Sequence, residues 1–491
     1  MIHSPDRPRS ALITAAAVLI AGAILAAQLL VPPIVGLPNN GQFERVMGYA
    51  GVRYASDVPE DKYFTHIVRE FEFAPVWFRS GYLSSEIALA RVARDAAKIL
   101  SGSGHFDLRV LGALHALLLL VALGMLVGAC GALSPAAQIV AAASLVFFFT
   151  DVGYAAPLNS FFGQAAGFLF LMLTAGITTL AIRWGRLEGV LLPAYFFCAA
   201  AFVGSKPQES LHGPLLALLA LRLADVRGRG WWRRPAAAFA LLLCLFSVWY
   251  YRRTDPMIRR AALYHSVFAE MLPSSPDPAG DLAVLGVDPS LARHSGKSAH
   301  EMRAVIHGPE FQKEFYDRVG FGDIAAFYAA RPGRLLDRLS RAAHHGGLRL
   351  RQLLRGNFET TAPGYRPYLM SQRHAAWSNL RLRLAPVAPA WLAVLLGGSF
   401  AAAASGWHRS SGRGRLFREA LMVLSLLAAA EFLVCAFADR LADAPRHLFV
   451  FHAACDLLLA ANLTWLSQRA SPRRTAPVRK SRVDDFEGAP A

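Results

Sequence analysis

The sequence predicts an all-α polytopic membrane protein with about ten transmembrane helices. Its 491 residues have a mean hydropathy of +0.34, and 54% of them are hydrophobic while only 17% are charged. This composition leaves too little polar surface for a soluble globule of that length. The apolar residues also form separate blocks of about 20 residues, the length that a helix needs to cross roughly 30 Å of hydrocarbon.

Ten such blocks follow one another along the chain, and the third, fifth and sixth are the shortest. The first block follows Arg7 and Arg9 and reaches Pro32 without an Ala-x-Ala cleavage site. We therefore expect a retained anchor rather than a cleaved signal peptide. The blocks are 11–31, 110–133, 136–150, 162–182, 188–204, 211–223, 235–251, 386–404, 419–438 and 447–466.

Basic residues cluster in alternate connections between these blocks, which predicts the orientation of the chain. Segments 7–9, 183–186, 222–234, 409–418 and 469–482 are rich in arginine. Arginine and lysine in short loops stay on the cytoplasmic side of a membrane, so both termini are expected in the cytoplasm. The net charge of +17 then follows from topology and favours contact with anionic membrane lipids, not with nucleic acid.

The predicted order includes two long extracytoplasmic segments. Residues 1–31 form the N-terminus and first helix, 32–109 the first outer segment, and 110–251 six transmembrane helices. Residues 252–385 form a second outer segment of helices, 386–466 three more transmembrane helices, and 467–491 a basic cytoplasmic tail. Amphipathic patterns predict interfacial helices from Ser84 to Leu100 and from Arg334 to Arg355, the latter broken near Gly346.

A lone carboxylate, Glu44, follows the first block by about a dozen residues. Membrane enzymes that use lipid-linked sugars have a comparable plan, with an acidic residue where the first helix leaves the membrane and basic residues that hold the departing phosphate. The alternative interpretation is an ordinary surface pair of Glu44 and Arg45, worth less than about 1 kcal/mol. No metal-ligand motif or phosphate-loop glycine motif occurs, so neither a metal nor another cofactor is predicted.

Three stretches together resemble the bacterial glycan-biosynthesis hexose transferases of the WsfD type, which are GT-C-like. They lie near both ends and in the middle of the chain, so the resemblance covers most of it. The stretches are Pro38-Asn39-Asn40-Gly41-Gln42-Phe43-Glu44-Arg45-Val46-Met47, then Leu263-Tyr264-His265-Ser266-Val267-Phe268 with Ser275-Pro276-Asp277-Pro278, Asp281-Leu282 and Leu285-Gly286, and Arg446-His447-Leu448-Phe449-Val450-Phe451 followed by Asp456.

The resemblance implies transfer of a hexose from a polyprenyl-phosphate carrier to a glycan acceptor on the outer face of the membrane. In that family the first loop often reads Asp-Asn-Gly-Asp-Phe, whereas Asn39 and Gln42 occupy the aspartate positions here. Neither amide can act as a base. The catalytic carboxylate is therefore expected at Glu44 or in the following acidic run, at Asp57, Glu60 or Asp61.

Polar residues near the outer ends of the apolar blocks are the predicted substrate-binding residues. Lys206 precedes a helix-ending proline and either binds the donor phosphate or extends to the headgroups. An arginine can grip two phosphate oxygens at once, which makes Arg446, with His447, the better phosphate candidate. The amides of Asn159 and Gln164 can bind sugar hydroxyls, although helix capping by Asn159 is the simpler interpretation. Asn40 and Arg45 complete the set.

Glu431 lies near the middle of the ninth block, where a charge costs at least about 2.5 kcal/mol. His452 and Asp456 are four residues apart on the tenth block and are candidate partners for it. Two other functions stay open at this point. One is a flippase or transporter of lipid-linked saccharides, and the other is a scaffold within a glycan-assembly complex.

Overall fold

A computed structural model describes residues 7–55, 65–77, 81–102, 104–225, 230–299, 301–350, 356–438 and 440–471. The described chain is mostly helical, and a helix occurs at each of the ten predicted apolar blocks. The helices of the first half are α1 (Arg7–Leu29), α2 (Glu44–Ala50), α3 (Ser85–Ser101), α4 (Leu108–Ala129), α5 (Pro135–Phe149), α6 (Val152–Ala155), α7 (Gln164–Trp184), α8 (Leu191–Val203), α9 (Gly213–Asp225) and α10 (Arg233–Arg253).

The second half begins with short helices and ends with long ones. They are α11 (Pro256–Tyr264), α12 (Pro278–Val284), α13 (Arg303–Ile306), α14 (Pro309–Phe311), α15 (Phe321–Ala329), α16 (Pro332–Ala342), α17 (Ala376–Leu384), α18 (Ala388–Leu392), α19 (Gly398–Ser405), α20 (Gly412–Ala438), α21 (Ala444–His447) and α22 (Phe449–Ala470).

Seven helical segments in the described chain are long and apolar enough to cross a membrane, or eight if the bent pair of α5 with residues 152–158 counts as one span. The eighth helix of the first half, α8, and the next, α9, have only 13 residues each. At about 1.5 Å per residue each covers roughly two thirds of the hydrocarbon thickness. Because α8 and α9 are consecutive, counting neither of them as a span does not change the side of the membrane predicted for the other connections.

The long helices close into a ring. Neighbours in the ring are, in order, α1, α4, α7, α8, α10, α9, α20, α22 and α5, which returns to α1. The α7 helix also contacts α20 and α22, and its side chains are buried along most of its length because small and apolar residues occur on every face. Among the candidate spans of the described chain, α7 is therefore the most deeply buried.

Both long outer segments lie at the same end of the bundle, which we call the outer end after the predicted orientation. Strand β1 (Val35–Gly36) pairs antiparallel with β5 (Asn357–Phe358), and Ile34 N donates to Glu359 Oε1 at 3.0 Å. A second antiparallel sheet, in the order β2–β3–β4, joins β2 (Val52–Tyr54), β3 (Glu70–Phe73) and β4 (His105–Asp107).

The first predicted amphipathic helix is present, and the second is present as far as Gly347; residues 348–350 are not helical, and 351–355 lie outside the described residues. Ser84 caps α3 through Glu86 N, and Glu86 itself is buried and accepts from Ala166 N at 3.1 Å. In the second, α16 ends at Ala342, and a wide helical turn continues to Gly347. Its Arg338 is 1% exposed and donates to Ala436 O at 2.7 Å. Buried polar contacts therefore fix both helices to the bundle.

Candidate functional site

A cavity of about 660 Å³ opens at the outer end of the bundle, and we call it the outer cavity. Its polar lining residues, which we call the polar wall, lie mostly in or beside short turns at helix ends, and its apolar lining residues, the apolar wall, lie mostly on α11, α15 and α20. The polar wall contains Gln42, Arg45, Tyr82, Gln164, Lys206, Gln208, Arg259, Arg446 and His447, and the apolar wall contains Leu211, Ile258, Ala262, Phe321, Ile324, Leu335, Leu433, Val434 and Phe437.

Five predicted binding residues meet on the polar wall although they come from distant parts of the sequence. Arg45 lies on α2, and the last turn before α9 carries Lys206. Gln164 begins α7, and α21 ends with Arg446 and His447. The structure thus brings these five side chains around one space, which is the geometry that a common ligand requires.

The turn that carries Lys206 is held by Glu431 of α20. Gln208 Nε2 donates to Glu431 Oε2 at 2.6 Å, and His212 Nε2 lies 2.5 Å from Glu431 Oε1. Gln208 Nε2 also reaches His447 O at 3.2 Å. These contacts satisfy the buried carboxylate and connect the Lys206 turn with the end of α21.

The prediction that His452 and Asp456 are the partners of Glu431 is wrong. Both belong instead to a buried cluster around Arg381, whose Nη1 lies 2.7 Å from Asp456 Oδ1 and whose Nη2 lies 2.6 Å from His452 Nδ1. Tyr154 Oη donates to Asp456 Oδ2 at 2.6 Å. The four-residue spacing correctly predicted that the two side chains share one face of α22. It does not determine which helix that face contacts.

Four cationic side chains of the outer cavity, those of Arg45, Lys206, Arg259 and Arg446, make no ion pair with a carboxylate that the structure describes. Arg45 lies over the ring of Tyr82, 5.8 Å from its centre, and Arg446 Nη2 is 3.2 Å from His447 Nε2.

Burial, together with the charges of Arg446 and Lys206, holds the pKa of His447 well below its usual range. His447 is therefore neutral at pH 7 and can accept the hydrogen bond from Arg446. The cations remain available to an anion.

Gln164 adds a hydrogen-bond acceptor to this wall. Its Oε1 is buried and has no partner in the described part of the chain, although a buried polar atom without a hydrogen bond costs about 1 to 3 kcal/mol. A ligand hydroxyl donated to this oxygen would remove that cost. The polar wall thus offers positive charge for an anion and an acceptor for a hydroxyl.

Glu209 lies in the same turn as Lys206, and its side chain is fully buried. Neither of its carboxylate oxygens has a hydrogen-bond partner among the described residues. Burial raises the pKa of Glu209 to about 8, opposed by the charge of Lys206 and reinforced by that of Glu431. The carboxyl group is therefore mostly protonated at neutral pH.

Asn159 does not line the cavity. Its Nδ2 donates to Leu29 O at 3.0 Å and to Val35 O at 2.9 Å, and the residue is completely buried. Asn159 therefore neither lines a sugar-binding site in this cavity nor caps α7. Its amide instead joins the end of α1 and the start of β1 to the bundle.

Asn40 and Glu44 also lie outside the residues that line the cavity. Asn39 Oδ1 accepts from the backbone N–H groups of Gly41, Gln42 and Phe43, and Asn39 Nδ2 donates to Glu44 Oε1 at 2.9 Å. No ion pair joins Glu44 to Arg45, so the surface-pair interpretation is also wrong. Glu44 Oε2 and Asn40 Oδ1 are buried without a described partner.

The predicted acidic run Asp57, Glu60 and Asp61 lies outside the described residues, so their candidacy stays a prediction. Tyr82, Gln208 and Arg259 are among the described cavity residues that were not predicted. Arg259 is one of several arginines around α11, and only its place in the lining of the cavity distinguishes it from its neighbours.

Comparison with known proteins gives one family. Residues 4–482 match the family described as the YfdI N-terminal transmembrane domain, whereas no curated protein and no solved structure matches the chain. The match supports a YfdI-like polytopic membrane protein and does not support the WsfD type in particular. Because it covers nearly the whole sequence, the chain belongs to the YfdI N-terminal transmembrane domain family.

Proposed function

We propose that this protein is a membrane glycosyltransferase that moves a hexose from a polyprenyl-phosphate carrier to a cell-surface glycan. The reaction takes place at the outer cavity, on the outer face of the bacterial plasma membrane, with both termini of the chain in the cytoplasm. The arginine-rich connections at the opposite end of the bundle contact anionic lipids there. No nucleotide is needed, because a lipid-linked sugar is already activated.

The observation that carries the proposal is the combination of unpaired cations and an apolar wall around one cavity. A carrier phosphate is an anion attached to a long hydrocarbon chain, so its two parts require these two surfaces. Arg446 and Lys206 hold the phosphate, and the guanidinium of Arg446 can donate two parallel hydrogen bonds to it. The isoprenoid chain follows Ile258, Phe321 and Val434 toward the lipid.

The outer cavity also has groups that can bind a sugar hydroxyl and groups that can stabilise the negative charge of the leaving phosphate. Gln164 Oε1 accepts from a sugar hydroxyl, since it has no described partner in the protein. When the bond between the anomeric carbon and the phosphate oxygen breaks, negative charge grows on the leaving phosphate. Cations already positioned at that place stabilise the transition state more than the ground state.

The reaction also needs a carboxylate that accepts or orients the hydroxyl proton of the acceptor. Glu44 remains a candidate because it is adjacent to Arg45 on α2 and has one buried oxygen without a described partner. Asp57 and Asp61 are the other candidates on the first outer segment.

A deletion strain separates transfer from flipping. Mass spectrometry of its lipid-linked oligosaccharides should show a glycan that lacks one hexose, while the wild-type gene restores it. Accumulation of a complete lipid-linked unit on the cytoplasmic side would instead show a flippase.

The phosphate assignment is tested by Arg446→Ala, with Arg440→Ala as the matched control. Both arginines precede α22 at the outer end, but only Arg446 lines the cavity. Loss of a charged hydrogen bond of about 1.5 to 3 kcal/mol should weaken binding of a synthetic polyprenyl monophosphate by roughly 10- to 100-fold. Unchanged binding in folded Arg446→Ala protein would show that the phosphate is held elsewhere.

A further inference from the structure

A smaller pocket of about 160 Å³, which we call the side pocket, adjoins the outer cavity. The two spaces share Arg45, Tyr82 and Pro207 as lining residues, together with Thr254 and Ile258. The side pocket is also lined by Gly81, Leu83, Tyr250, Arg253 and Asp255. A ligand in the side pocket would therefore lie directly beside a ligand in the outer cavity.

Asp255 is the one carboxylate among the described residues that line either space. It ends the connection between α10 and α11 and acts as the N-cap of α11, because its Oδ1 accepts from Met257 N at 2.9 Å. Pro256 at the first helical position fixes this geometry. The second oxygen, Oδ2, makes no hydrogen bond with any described residue and is left for a ligand.

The side pocket also has neutral hydroxyl groups beside Asp255, those of Tyr82, Tyr250 and Thr254. Burial raises the pKa of Tyr82 to about 12, so its phenol is neutral, and Tyr250 donates to Leu83 O at 2.6 Å. Arg45 and Arg253 make no ion pair with Asp255. The carboxylate is thus neither neutralised by a bound cation nor occupied by another side chain, apart from its single capping bond.

We propose that the side pocket binds the acceptor sugar and that Asp255 accepts the proton of the reacting hydroxyl. This inference rests on the proposed glycosyl transfer and names its base and its acceptor subsite. The acceptor is a saccharide with a free hydroxyl, and it would lie beside the donor because the two spaces share Arg45 and Tyr82 as lining residues.

The step balances without any further reactant. The hydroxyl oxygen of the acceptor bonds to the anomeric carbon of the donor hexose while its proton passes to Asp255 Oδ2. The bond between the anomeric carbon and the phosphate oxygen breaks, and its electron pair leaves with the carrier phosphate, which the cations of the outer cavity hold. The proton then moves from Asp255 to the departing phosphate or to water.

The geometry favours Asp255 over Glu44 for this role. Glu44 Oε1 is engaged by Asn39 at 2.9 Å, and Glu44 lines neither space. A general base has to come within hydrogen-bond reach of the proton that it removes, and only a side chain on the wall of the pocket meets that requirement without rearrangement.

The decisive variant is Asp255→Asn in the full-length protein. Asparagine caps helices about as well as aspartate, so α11 should keep its start and the protein its unfolding temperature. Asparagine cannot accept a proton from the hydroxyl, so turnover of a polyprenyl-phosphate hexose should fall by roughly 100-fold or more. Asp255→Glu should keep part of the activity, because the carboxylate is retained.

Asp277→Asn is the matched control, since Asp277 also caps a helix of the second outer segment, through Gly280 N at 2.9 Å, but lies away from both spaces. Its activity should equal that of the wild type. Binding of a polyprenyl monophosphate should be normal in Asp255→Asn, because the cations are untouched. A merely structural role of Asp255 would lower turnover in Asp255→Ala but leave Asp255→Asn active.

The outcomes separate this inference from the proposed function. Full turnover in Asp255→Asn, with loss in Glu44→Gln or Asp61→Asn, would place the base on the first outer segment and overturn the inference while transfer stands. Absence of hexose transfer by the wild-type protein, alongside normal export of the lipid-linked glycan, would overturn the proposed function itself.

Discussion

The buried ion pair between Arg381 and Asp456 should be the most sensitive single contact of the bundle. Arg381 is 1% exposed and Asp456 is completely buried, and Arg381 Nη1 lies 2.7 and 2.8 Å from the two carboxylate oxygens. Trp377 Nε1 donates to the same carboxylate at 2.8 Å. The pair joins α17, at the end of the second outer segment, to α22, the last helix that the structure describes.

Replacing Arg381 by methionine keeps most of the volume of the side chain but leaves Asp456 as a buried charge without its counter-ion. Removing one partner of a buried pair costs about 3 to 5 kcal/mol, so the free energy of unfolding in detergent should fall by that amount. Arg383→Met is the control, because Arg383 is exposed on the same helix and has no described partner; its effect should stay below about 0.5 kcal/mol.

A double variant tests the reasoning directly. Asp456→Asn keeps an acceptor for Trp377 but no longer requires a positive charge, so Arg381→Met should cost much less in that background, with a coupling energy of about 1 to 3 kcal/mol. Equal effects of Arg381→Met and Arg383→Met, or additive effects in the double variant, would show that the pair does not stabilise the bundle.

Two further predictions concern packing and pH. Gly112→Ala should lower the free energy of unfolding by about 1 to 3 kcal/mol, because a Cβ there would lie 1.9 Å from Asn159 Oδ1; Gly124→Ala on the same helix, with its nearest contact at 3.5 Å, should be tolerated. Glu209 binds its proton up to a pH of about 8 in the folded state but only to about 4.3 when unfolded. The free energy of unfolding of the wild type should therefore decrease, relative to that of Glu209→Gln, as the pH rises from about 4.3 to about 8. Unfolding midpoints of the two proteins that change in parallel across that range would contradict the prediction.

Much of the fold follows from the sequence because the bilayer restricts what an apolar segment can do. Each block of about 20 apolar residues forms a helix in lipid, where backbone groups have no other partners. The length of α8 was overestimated because apolar residues continue into the neighbouring turns, so that the predicted block spans 188–204 but the helix only Leu191–Val203. The sixth block, 211–223, has the length of α9 but begins two residues earlier. The two- to four-residue strands carry no pattern that a period of two could reveal.

Part of the lining of the outer cavity could likewise be predicted from the sequence, because the bilayer fixes the depth of residues at the ends of apolar blocks. A polar residue at the end of an apolar block has a known depth, so Lys206, Gln164 and Arg446 could be assigned to one level of the bundle. Depth does not give lateral neighbours, and these depend on how the ring of helices closes. Arg259 and Asp255 were missed because α11 lies among many charged residues, and only its position over the cavity distinguishes them.

The pairing of β1 with β5 has a consequence for biosynthesis. Ile34 and Glu359 are 325 residues apart, so the chain between them must be synthesised and inserted before the outer layer can close. Arg446 of the polar wall is made later still. Proteins interrupted before Arg446 would contain most of the described spans but an incomplete set of cavity cations, so the chain must be synthesised beyond Arg446 before the lining of the outer cavity is complete.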